Sequence, residues 1–486
     1  MSFKLSELIF NQAYIDGKFV PARSGKVFEV LNKATGEVIT SVADGGAEDT
    51  RQAIAAAERT LGPWRSRTAK ERSVILRKWY DLMMDNQEVL AELLSMEQGK
   101  SLAESRGEIA YGASFIEWFS EEGKRAYGHT IPTVAGNRRF VVIKQPIGVV
   151  AAVTPWNFPN AMITRKVGPA LACGCTVVLK PAPETPLSAL AIAHLGQLAG
   201  IPAGAFNIVP GMDAVTIGKE LCESETVRKL TFTGSTRVGK ILMEQCAGTV
   251  KKLSLELGGN APFLVFDDAD LDAAVEGAMI AKFRNSGQTC VCANRIYVQE
   301  GVYDAFCEKF TRAVGELVVG PYTNSRSTQG PLISKAAVNK VADHIEDAKS
   351  KGATILTGGK PHELGGLFYT PTVISHVTQD MKVAREETFG PLAPIFKFRT
   401  EQEAIDMANA TEFGLASYFY SRDIGRIYRV AEALETGMVG INEGLISNEV
   451  VPFGGIKQSG LGREGSSYGL DEYMELKYLC FGGLDK

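Results

Sequence analysis

The sequence predicts an α/β fold with at least two domains, and three observations carry this prediction. The chain has 486 residues, more than one hydrophobic core usually holds, so two or three packed domains are expected. Short apolar strands alternate with helical segments along most of the chain, and repeated β-α-β units form parallel sheets with helices on both faces. Apolar residues make up 45% and charged residues 22% of the chain, which is ordinary for a soluble globular protein.

The composition excludes several classes of protein. A formal net charge of −4 gives no basic surface for nucleic acid. No apolar run approaches the roughly 18 residues that span a bilayer, and the first residues lack the profile of a secretory signal, so a cytoplasmic protein is expected. Eight cysteines without a CxxC pair and five scattered histidines favour neither a disulfide framework nor a metal site.

Hydrophobic periodicity orders the elements of the first half. Residues 48–122 are predicted to be mostly helical, with apolar residues at helical spacing over residues 53–61 and 73–94. Strands are predicted at residues 140–143, 148–153, 176–180, 206–209 and 229–232, and helices at residues 188–200 and 238–246. Ligands of such parallel sheets bind beyond the carboxyl ends of the strands.

The second half repeats the alternation. Residues 268–441 predict a second α/β domain, with residues 253–262 as the hinge region between the two. Residues 473–481 alternate like an edge strand, which is expected to leave its domain and pair elsewhere.

A glycine-rich turn, Thr233-Gly234-Ser235-Thr236-Arg237-Val238-Gly239, follows a predicted strand and opens a helix. Dinucleotide pyrophosphates bind the N–H groups at such helix N-termini. The spacing differs from G-x-G-x-x-G, so an ordinary β-α turn is an equal alternative.

A candidate nucleophile, Cys290, lies in the polar loop Asn285-Ser286-Gly287-Gln288-Thr289-Cys290-Val291-Cys292. Free thiols have a pKa of about 8.5, so a catalytic cysteine needs a base or a nearby positive charge. Arg284 is adjacent, and Glu256 lies 34 residues earlier at the end of a predicted strand. A partly desolvated carboxylate could act as the base, directly or through water. The alternative for Glu256 is an ordinary surface glutamate.

Seven blocks together resemble the aldehyde dehydrogenase superfamily over essentially the whole chain, in its order and spacing. They are Thr154-Pro155-Trp156-Asn157-Phe158-Pro159, Lys180-Pro181, Phe232-Thr233-Gly234-Ser235, Glu256-Leu257-Gly258-Gly259, Gly287-Gln288-Thr289-Cys290, Glu387-Thr388-Phe389-Gly390-Pro391 and Pro452-Phe453-Gly454-Gly455. The resemblance implies that Cys290 is the nucleophile and Glu256 the general base. It also implies that Asn157 and the Cys290 backbone N–H form the oxyanion hole.

The same resemblance implies a nicotinamide cofactor. Lys180 and Glu387 would bind its ribose hydroxyls, Phe389 would position the nicotinamide ribose, and Trp156 would lie along the cleft. Further cofactor-binding positions are expected at Thr154, Pro155, Pro183, Gly234, Ser235, Gly239 and Leu257. NAD-preferring relatives often carry a glutamate where this chain has Pro183, with Glu184 one residue late. Because a 2′-phosphate would meet no carboxylate there, NADP is expected to be accepted and preferred over NAD.

Within the family the chain looks most like the succinate-semialdehyde dehydrogenase subgroup. Arg165, Arg284 and Ser447 match its carboxylate-binding positions, and guanidinium groups can bind a carboxylate through two hydrogen bonds. Structural ion pairs are the alternative for the arginines. Glutarate semialdehyde, one methylene longer, would differ by only about 1–3 kcal/mol in an apolar pocket, and a broad-specificity aldehyde dehydrogenase is a further alternative. A place in 4-aminobutyrate breakdown follows only from the succinate semialdehyde assignment.

Cys292 departs from the family at large, although some members of the subgroup share it. Two cysteines separated by one residue in an extended loop would lie near the upper limit for a disulfide. An inert thiol and a redox partner of Cys290 are equal alternatives.

The resemblance implies three parts: a Rossmann-type cofactor domain (residues 1–124 and 145–257), an α/β catalytic domain (residues 258–457) and a small β arm (residues 125–144 and 470–486). The arm would join subunits into dimers or tetramers. Rival interpretations are a cofactor-free thioester hydrolase, a coenzyme-A-acylating relative and a non-enzymatic descendant of the fold. Aldehyde-dependent NAD(P) reduction without coenzyme A would exclude all three.

Overall fold

The computed structural model of the chain describes residues 3–485. In chain order its strands are β1 (Ala13–Ile15), β2 (Lys18–Val20), β3 (Val27–Leu31), β4 (Val38–Ala43), β5 (His129–Ile131), β6 (Arg139–Pro146), β7 (Val149–Val153), β8 (Thr176–Lys180), β9 (Phe206–Ile208), β10 (Val227–Thr233), β11 (Lys252–Glu256), β12 (Ala261–Val265), β13 (Ala293–Gln299), β14 (Thr354–Thr357), β15 (Thr372–Ser375), β16 (Leu392–Phe398), β17 (Phe413–Gly414), β18 (Ala416–Tyr420), β19 (Met438–Ile441), β20 (Ile456–Lys457), β21 (Gly460–Leu461) and β22 (Met474–Phe481).

The α-helices are α1 (Leu5–Leu8), α2 (Ala47–Arg65), α3 (Ala69–Asp85), α4 (Gln87–Gln98), α5 (Leu102–Glu122), α6 (Ala161–Cys173), α7 (Pro186–Ala199), α8 (Ala214–Glu223), α9 (Thr236–Cys246), α10 (Leu271–Phe283), α11 (Tyr303–Gly315), α12 (Lys335–Ser350), α13 (Lys382–Arg385), α14 (Glu401–Asn409), α15 (Ile424–Ala433) and α16 (Ser466–Asp471). None of the helices within residues 3–485 is long and apolar enough to cross a membrane.

The first sheet has the order β2-β1-β9-β8-β7-β10-β11-β21. Its five central strands, β9 to β11 in that order, are parallel, and all residues of β8 are buried because helices cover both faces. The chain places β8 and β9 on one side of β7 and β10 and β11 on the other. The carboxyl ends of β7 and β10 therefore flank a topological switch point, where ligands of such sheets bind.

The predicted helical character of residues 73–94 is confirmed, and two helices share this segment. Helix α3 ends at Asp85 and α4 begins at Gln87. Between them the Asn86 amide donates to the Leu82 carbonyl at 2.8 Å, and such a local side-chain bond competes with helix continuation. The apolar spacing runs through the break because both helices bury one face in the same core cluster.

The second sheet, with the order β14-β15-β16-β13-β12-β18-β19, is parallel except for β14. It confirms a second α/β unit. The hinge prediction for residues 253–262 was too wide, since β11 and β12 occupy most of that segment. Residues 257–260 connect the sheets, so Glu256 ends a strand of the first sheet immediately before the chain passes to the second.

A third sheet, β22-β6-β5, stands apart from the other two. As predicted, the last strand leaves its own domain: Met474 pairs with Pro146 and Phe481 with Arg139 in antiparallel register. Leu476, Tyr478 and Phe481 of this strand are exposed. The role of this arm in joining subunits stays a prediction.

Candidate active site

The switch point opens into a cavity of about 220 Å³, here called the switch-point cleft. Its lining residues are Pro155, Trp156, Asn157, Thr233, Gly234, Ser235, Leu257, Gly258, Cys290, Glu387 and Phe389. Seven of the residues predicted to bind a cofactor are among them, next to the predicted nucleophile. The cleft therefore unites five sequence blocks that are up to about 230 positions apart.

Parallel pairing explains why these blocks meet. The Thr154 N–H donates to the Lys180 carbonyl at 3.1 Å, and the Gly234 N–H donates to the Glu256 carbonyl at 3.0 Å. Four strands thus end side by side at one edge of the sheet. Lys180 is buried, which lowers the pKa of its ammonium group, and its amine donates to the Pro181 carbonyl at 3.3 Å. Pro183 is half-buried just beyond it.

Helix α9 points its N-terminus at the cleft. Ser235 caps it, with the side-chain oxygen accepting the Val238 N–H at 3.4 Å. A Cβ atom on Gly239 would lie 2.4 Å from Leu257 Cδ2, so a glycine is needed for the helix to pack against the segment after β11. The free N–H groups and the helix dipole make this end a site for an anion.

The opposite side of the cleft carries two aromatic rings and a carboxylate. Trp156 and Phe389 meet edge to face, with ring centroids 5.5 Å apart, and Phe389 adopts a φ of 56°, a strained value for a residue other than glycine. Glu387 accepts the Gly259 N–H at 3.2 Å, and burial raises its pKa to about 7. A helix N-terminus, a buried ammonium group and a carboxylate together fit the phosphates and ribose hydroxyls of a dinucleotide.

The loop that carries Cys290 is held in an unusual backbone conformation. Asn285, Ser286 and Gly287 have φ values of 52°, 54° and 75°. A Cβ atom on Gly287 would lie 2.1 Å from the Gly390 carbonyl oxygen, so this glycine allows the loop to touch the segment that carries Phe389. Strain of this kind is concentrated at functional sites.

Cys290 itself is half-buried within a tight turn. The Cys292 N–H donates to the Thr289 carbonyl at 3.0 Å, so the extended conformation expected between the two cysteines was wrong. Burial raises the pKa of the Cys290 thiol to about 12, and the positive charge of Arg165 opposes that rise. Arg165, distant in sequence, thus adds a positive charge near the thiol, and Arg284, to which the sequence pointed, lines a cavity together with both of them.

Asn157 is fixed beside the thiol by a network of buried bonds. Its side-chain amide donates to the Gln288 carbonyl at 3.1 Å, and its backbone carbonyl accepts from Lys100 Nζ at 2.8 Å and from Asn285 Nδ2 at 3.0 Å. Lys100 also forms a fully buried ion pair with Glu108. Sequence reasoning missed this pair, because a lysine and a glutamate eight residues apart resemble any exposed pair.

Glu256 is the most unusual carboxylate of the site. It is 2% exposed, and within residues 3–485 neither of its carboxylate oxygens has a hydrogen-bond partner. Burial, and next the negative charge of Glu464, raise its pKa well above the usual value. The alternative of a surface glutamate was therefore wrong. A Cβ atom on Gly454 would lie 2.9 Å from Glu256 Oε1, which accounts for that glycine.

Glu464 was also missed by sequence reasoning. It is buried and forms ion pairs with Arg165, at 2.8 Å from Nε, and with Lys166. It lies far along the chain from Arg165, Lys166 and Glu256, and neither its spacing nor a motif marks it.

A second, small cavity lies on another side of Cys290 and is here called the inner cavity. It is lined by Tyr111, Phe158, Met162, Arg165, Arg284, Thr289, Cys290, Val291, Ser447 and Phe453. All three residues predicted to bind a substrate carboxylate are thus placed around one space with the predicted nucleophile. A larger cavity of about 530 Å³, the outer cavity, shares Tyr111, Phe158, Arg284 and Ser447 with it.

The two arginines differ in their partners. Arg165 is fully buried, lies 4.1 Å from the Phe453 ring centroid and contacts Glu464, yet its Nη2 has no hydrogen-bond partner among the described residues. Arg284 lies over the Phe158 ring at 4.9 Å, and in the described part of the chain it has no ion-pair partner within 4.0 Å. The alternative that these arginines form structural ion pairs therefore holds for the Nε side of Arg165, which contacts Glu464. It does not hold for Arg284.

Cys292 is buried, and its thiol donates to the Lys282 carbonyl at 3.5 Å. Burial raises its pKa, and the positive charge of Lys282 opposes that rise. Both Cys290 and Cys292 are free thiols. An inert thiol and a redox partner both stay predictions.

Comparison with known proteins matches residues 19–479 to the family model described as the aldehyde dehydrogenase family. The chain is 62% identical over 484 residues to the glutarate-semialdehyde dehydrogenase of Pseudomonas aeruginosa, with 100% of each chain covered. It is 60% identical to the NADP(+) succinate-semialdehyde dehydrogenase GabD of Escherichia coli, over 99% of this chain and 100% of that one. A crystal structure of succinate-semialdehyde dehydrogenase from Burkholderia pseudomallei superimposes with a TM-score of 0.97 at 61% identity, covering 98% of each chain.

Proposed function

The chain belongs to the aldehyde dehydrogenase family, and from this premise we propose that it oxidises succinate semialdehyde to succinate through a thioester on Cys290. The observation that carries the proposal is the position of Cys290 between two separate cavities. One has the groups that suit a dinucleotide, and the other has two guanidinium groups and a hydroxyl that suit an anion. An enzyme that brings an acid aldehyde to a nicotinamide needs this arrangement.

The first chemical step forms a bond between Cys290 Sγ and the aldehyde carbon. Because the thiol has a raised pKa, it must lose its proton as it attacks, and the Glu256 carboxylate is the base that takes it, directly or through water. The oxyanion of the thiohemiacetal would accept from the second amide proton of Asn157 and from the Cys290 backbone N–H. The bonds from Lys100 and Asn285 hold Asn157 in place for this purpose.

NAD(P)⁺ held in the switch-point cleft would supply the two-electron oxidation, as the acceptor for the hydride of the thiohemiacetal. In the switch-point cleft, the α9 N-terminus would hold its pyrophosphate, Lys180 and Glu387 its ribose hydroxyls, and Trp156 and Phe389 would flank the nicotinamide end. The thioester that remains on Cys290 is then hydrolysed. Glu256, buried and without hydrogen bonds within residues 3–485, first gives up the thiol proton to solvent. It then takes a proton from the water that attacks the thioester carbon, the C–S bond breaks, and the proton passes to the departing thiolate, which releases the acid and the free thiol.

The proposed preference for an acid semialdehyde is tested by comparing a charged with an uncharged aldehyde. We expect kcat/KM for succinate semialdehyde to exceed that for butanal, an uncharged aldehyde of the same length, by about a hundredfold or more, because the arginines and Ser447 would lose their charged acceptor. Steady-state NADPH and NADH formation, followed by absorbance, measures the ratio. Equal rates for the two aldehydes would show that the arginines are structural and leave a broad-specificity enzyme.

Glutarate semialdehyde is the second candidate substrate. The relative from Pseudomonas aeruginosa is named for it at 62% identity, and the outer cavity continues the inner one past Arg284. An anionic end one methylene farther from Cys290 would still meet Arg284 and Ser447. The same assay, run with glutarate semialdehyde, ranks the two acids.

For the cofactor we propose a preference for NADP. The support is Pro183 at the position where a carboxylate would repel a 2′-phosphate, together with the name of the Escherichia coli relative. We expect Pro183→Glu to lower kcat/KM for NADP by about tenfold or more while leaving that for NAD equal or higher, because like charges would face each other. Measuring both cofactors with one aldehyde checks this, and Pro183→Gln, of equal size without the charge, is the matched control. An unchanged ratio in Pro183→Glu contradicts the argument.

We also propose that the division into cofactor domain, catalytic domain and arm follows the boundaries predicted from sequence, and that the arm joins subunits into dimers or tetramers. The exposed apolar side chains of β22 support this assembly. A cytoplasmic location and a place in 4-aminobutyrate breakdown stay predictions.

A further inference from the structure

Tyr111 lies on α5, one turn after Glu108, and its side chain is half-buried. Its hydroxyl oxygen is buried, and no hydrogen-bond partner for it exists within residues 3–485. A buried hydroxyl without a partner is destabilising, because it has lost its hydrogen bonds to water without replacement, and such groups in native structures are uncommon. What distinguishes Tyr111 from the other residues with such atoms outside these cavities is that it lines both the inner and the outer cavity, from which an acceptor can approach.

The surroundings of Tyr111 indicate where that acceptor lies. The residue lines both the inner and the outer cavity, and its ring packs edge to face on Phe115 at 5.1 Å. The Arg284 guanidinium lies 5.8 Å from the Tyr111 ring centroid. The Arg165 guanidinium lies 5.0 Å from the ring centroid of the same Phe115. The phenol thus lies near Arg284, and it lines the inner cavity together with both arginines.

Two hydrogen-bond donors of residues that line the inner cavity have no acceptor within residues 3–485. They are the Tyr111 hydroxyl and Arg165 Nη2. Arg284 and Ser447 add further donors around the same space. An ionised carboxylate has two oxygens with about four acceptor positions, which equals the number of donor residues. A carboxylate that enters the inner cavity would satisfy both unpaired donors at once.

We propose that the Tyr111 hydroxyl donates a hydrogen bond to the distal carboxylate of the substrate, as a fourth specificity-determining group beside Arg165, Arg284 and Ser447. This inference rests on the proposed function. It assigns to Tyr111 a role in binding the charged end of the aldehyde and none in the bond changes at Cys290.

Tyr111→Phe tests the proposal because it removes the hydroxyl and keeps the ring. We expect kcat/KM for succinate semialdehyde to fall about tenfold or more, through a higher KM at nearly constant kcat. For butanal, kcat/KM should stay the same or rise, because no charged acceptor is involved. The inhibition constant of succinate, which has the same carboxylate, should rise by a similar factor.

Tyr473→Phe is the matched control, since that hydroxyl is also buried and the residue lines neither cavity. This variant should leave the ratio of kcat/KM for succinate semialdehyde to kcat/KM for butanal unchanged. Thermal unfolding of both variants shows whether either loses its fold, and the aldehyde ratio is independent of the amount of folded enzyme.

The wild-type ratio of kcat/KM for succinate semialdehyde to kcat/KM for butanal distinguishes failure of the proposed function from failure of the Tyr111 assignment. If the wild type does not favour succinate semialdehyde over butanal, the proposed function falls and this inference falls with it. If the wild type does favour succinate semialdehyde, but Tyr111→Phe changes kcat/KM for both aldehydes by the same factor or for neither, the proposed function stands. The assignment of Tyr111 is then overturned.

Discussion

Replacing Cys290 by alanine is expected to abolish aldehyde-dependent reduction of NAD(P), with kcat falling by about 10⁴-fold or more. The alanine has no atom that can bond to the aldehyde carbon, and hydride loss from an unattacked aldehyde would leave a high-energy acylium ion. Side chains that act as a unit lose nearly all their effect when the nucleophile is removed. Stopped-flow and steady-state absorbance of NADPH measure the loss.

Cys292→Ala is the matched control for that experiment. It removes a buried thiol two residues away whose hydrogen bond goes to the Lys282 carbonyl, and it should keep most of the activity. Cofactor binding to Cys290→Ala, followed through the fluorescence of Trp156 in the switch-point cleft, should persist. Activity of Cys290→Ala within tenfold of the wild type would place the nucleophile elsewhere.

Replacing Glu256 by glutamine is expected to separate the two halves of the reaction. The amide cannot take a proton, so hydrolysis of the thioester should slow by about 10²- to 10⁴-fold. If the first thiol deprotonation can still proceed through solvent at high pH, a burst of NADPH equal to the enzyme concentration should precede the slow phase. Rapid-mixing absorbance at pH 9 resolves the burst. A slow phase without any burst would assign Glu256 mainly to activation of Cys290.

The pH dependence of the wild type gives a second check on Glu256. The base works as the carboxylate, and burial and Glu464 raise its pKa well above the usual range. Turnover should therefore fall as the pH is lowered through this raised pKa, well above the range in which an exposed glutamate titrates. The acid limb should be absent in the deacylation rate of Glu256→Gln, because the amide does not titrate.

Local patterns predicted the elements of the cofactor side well. Strand β8 begins and ends at the residues expected from its apolar run, because a strand buried on both faces needs uninterrupted apolar residues and glycine and proline mark its ends. The break at Asn86 was not predicted, because the apolar period is the same in both helices and the break depends on one side-chain bond to Leu82.

The residues of the candidate site also fall into those that local patterns predicted and those that they did not. Cys290, Glu256, Asn157 and the glycine-rich turn stand in short motifs, and each motif has a chemical or steric reason that can be read from neighbouring residues. Tyr111, Lys100, Glu108 and Glu464 stand in no motif. Their parts in the site depend on contacts between residues far apart in the chain, and the residue types alone would suit an exposed helix or loop as well.

From its amino-acid order alone, this protein's α/β class and its family were determined, and Cys290 and Glu256 were predicted as nucleophile and base, since each of these conclusions depends on residues close together in the chain. Only the tertiary structure decided that Glu256 is buried with no hydrogen-bond partner within residues 3–485, and that Arg165 and Tyr111 line one cavity together with Cys290. Burial and electrostatic interaction depend on distances in space, which packing of the two sheets sets and which no local pattern encodes.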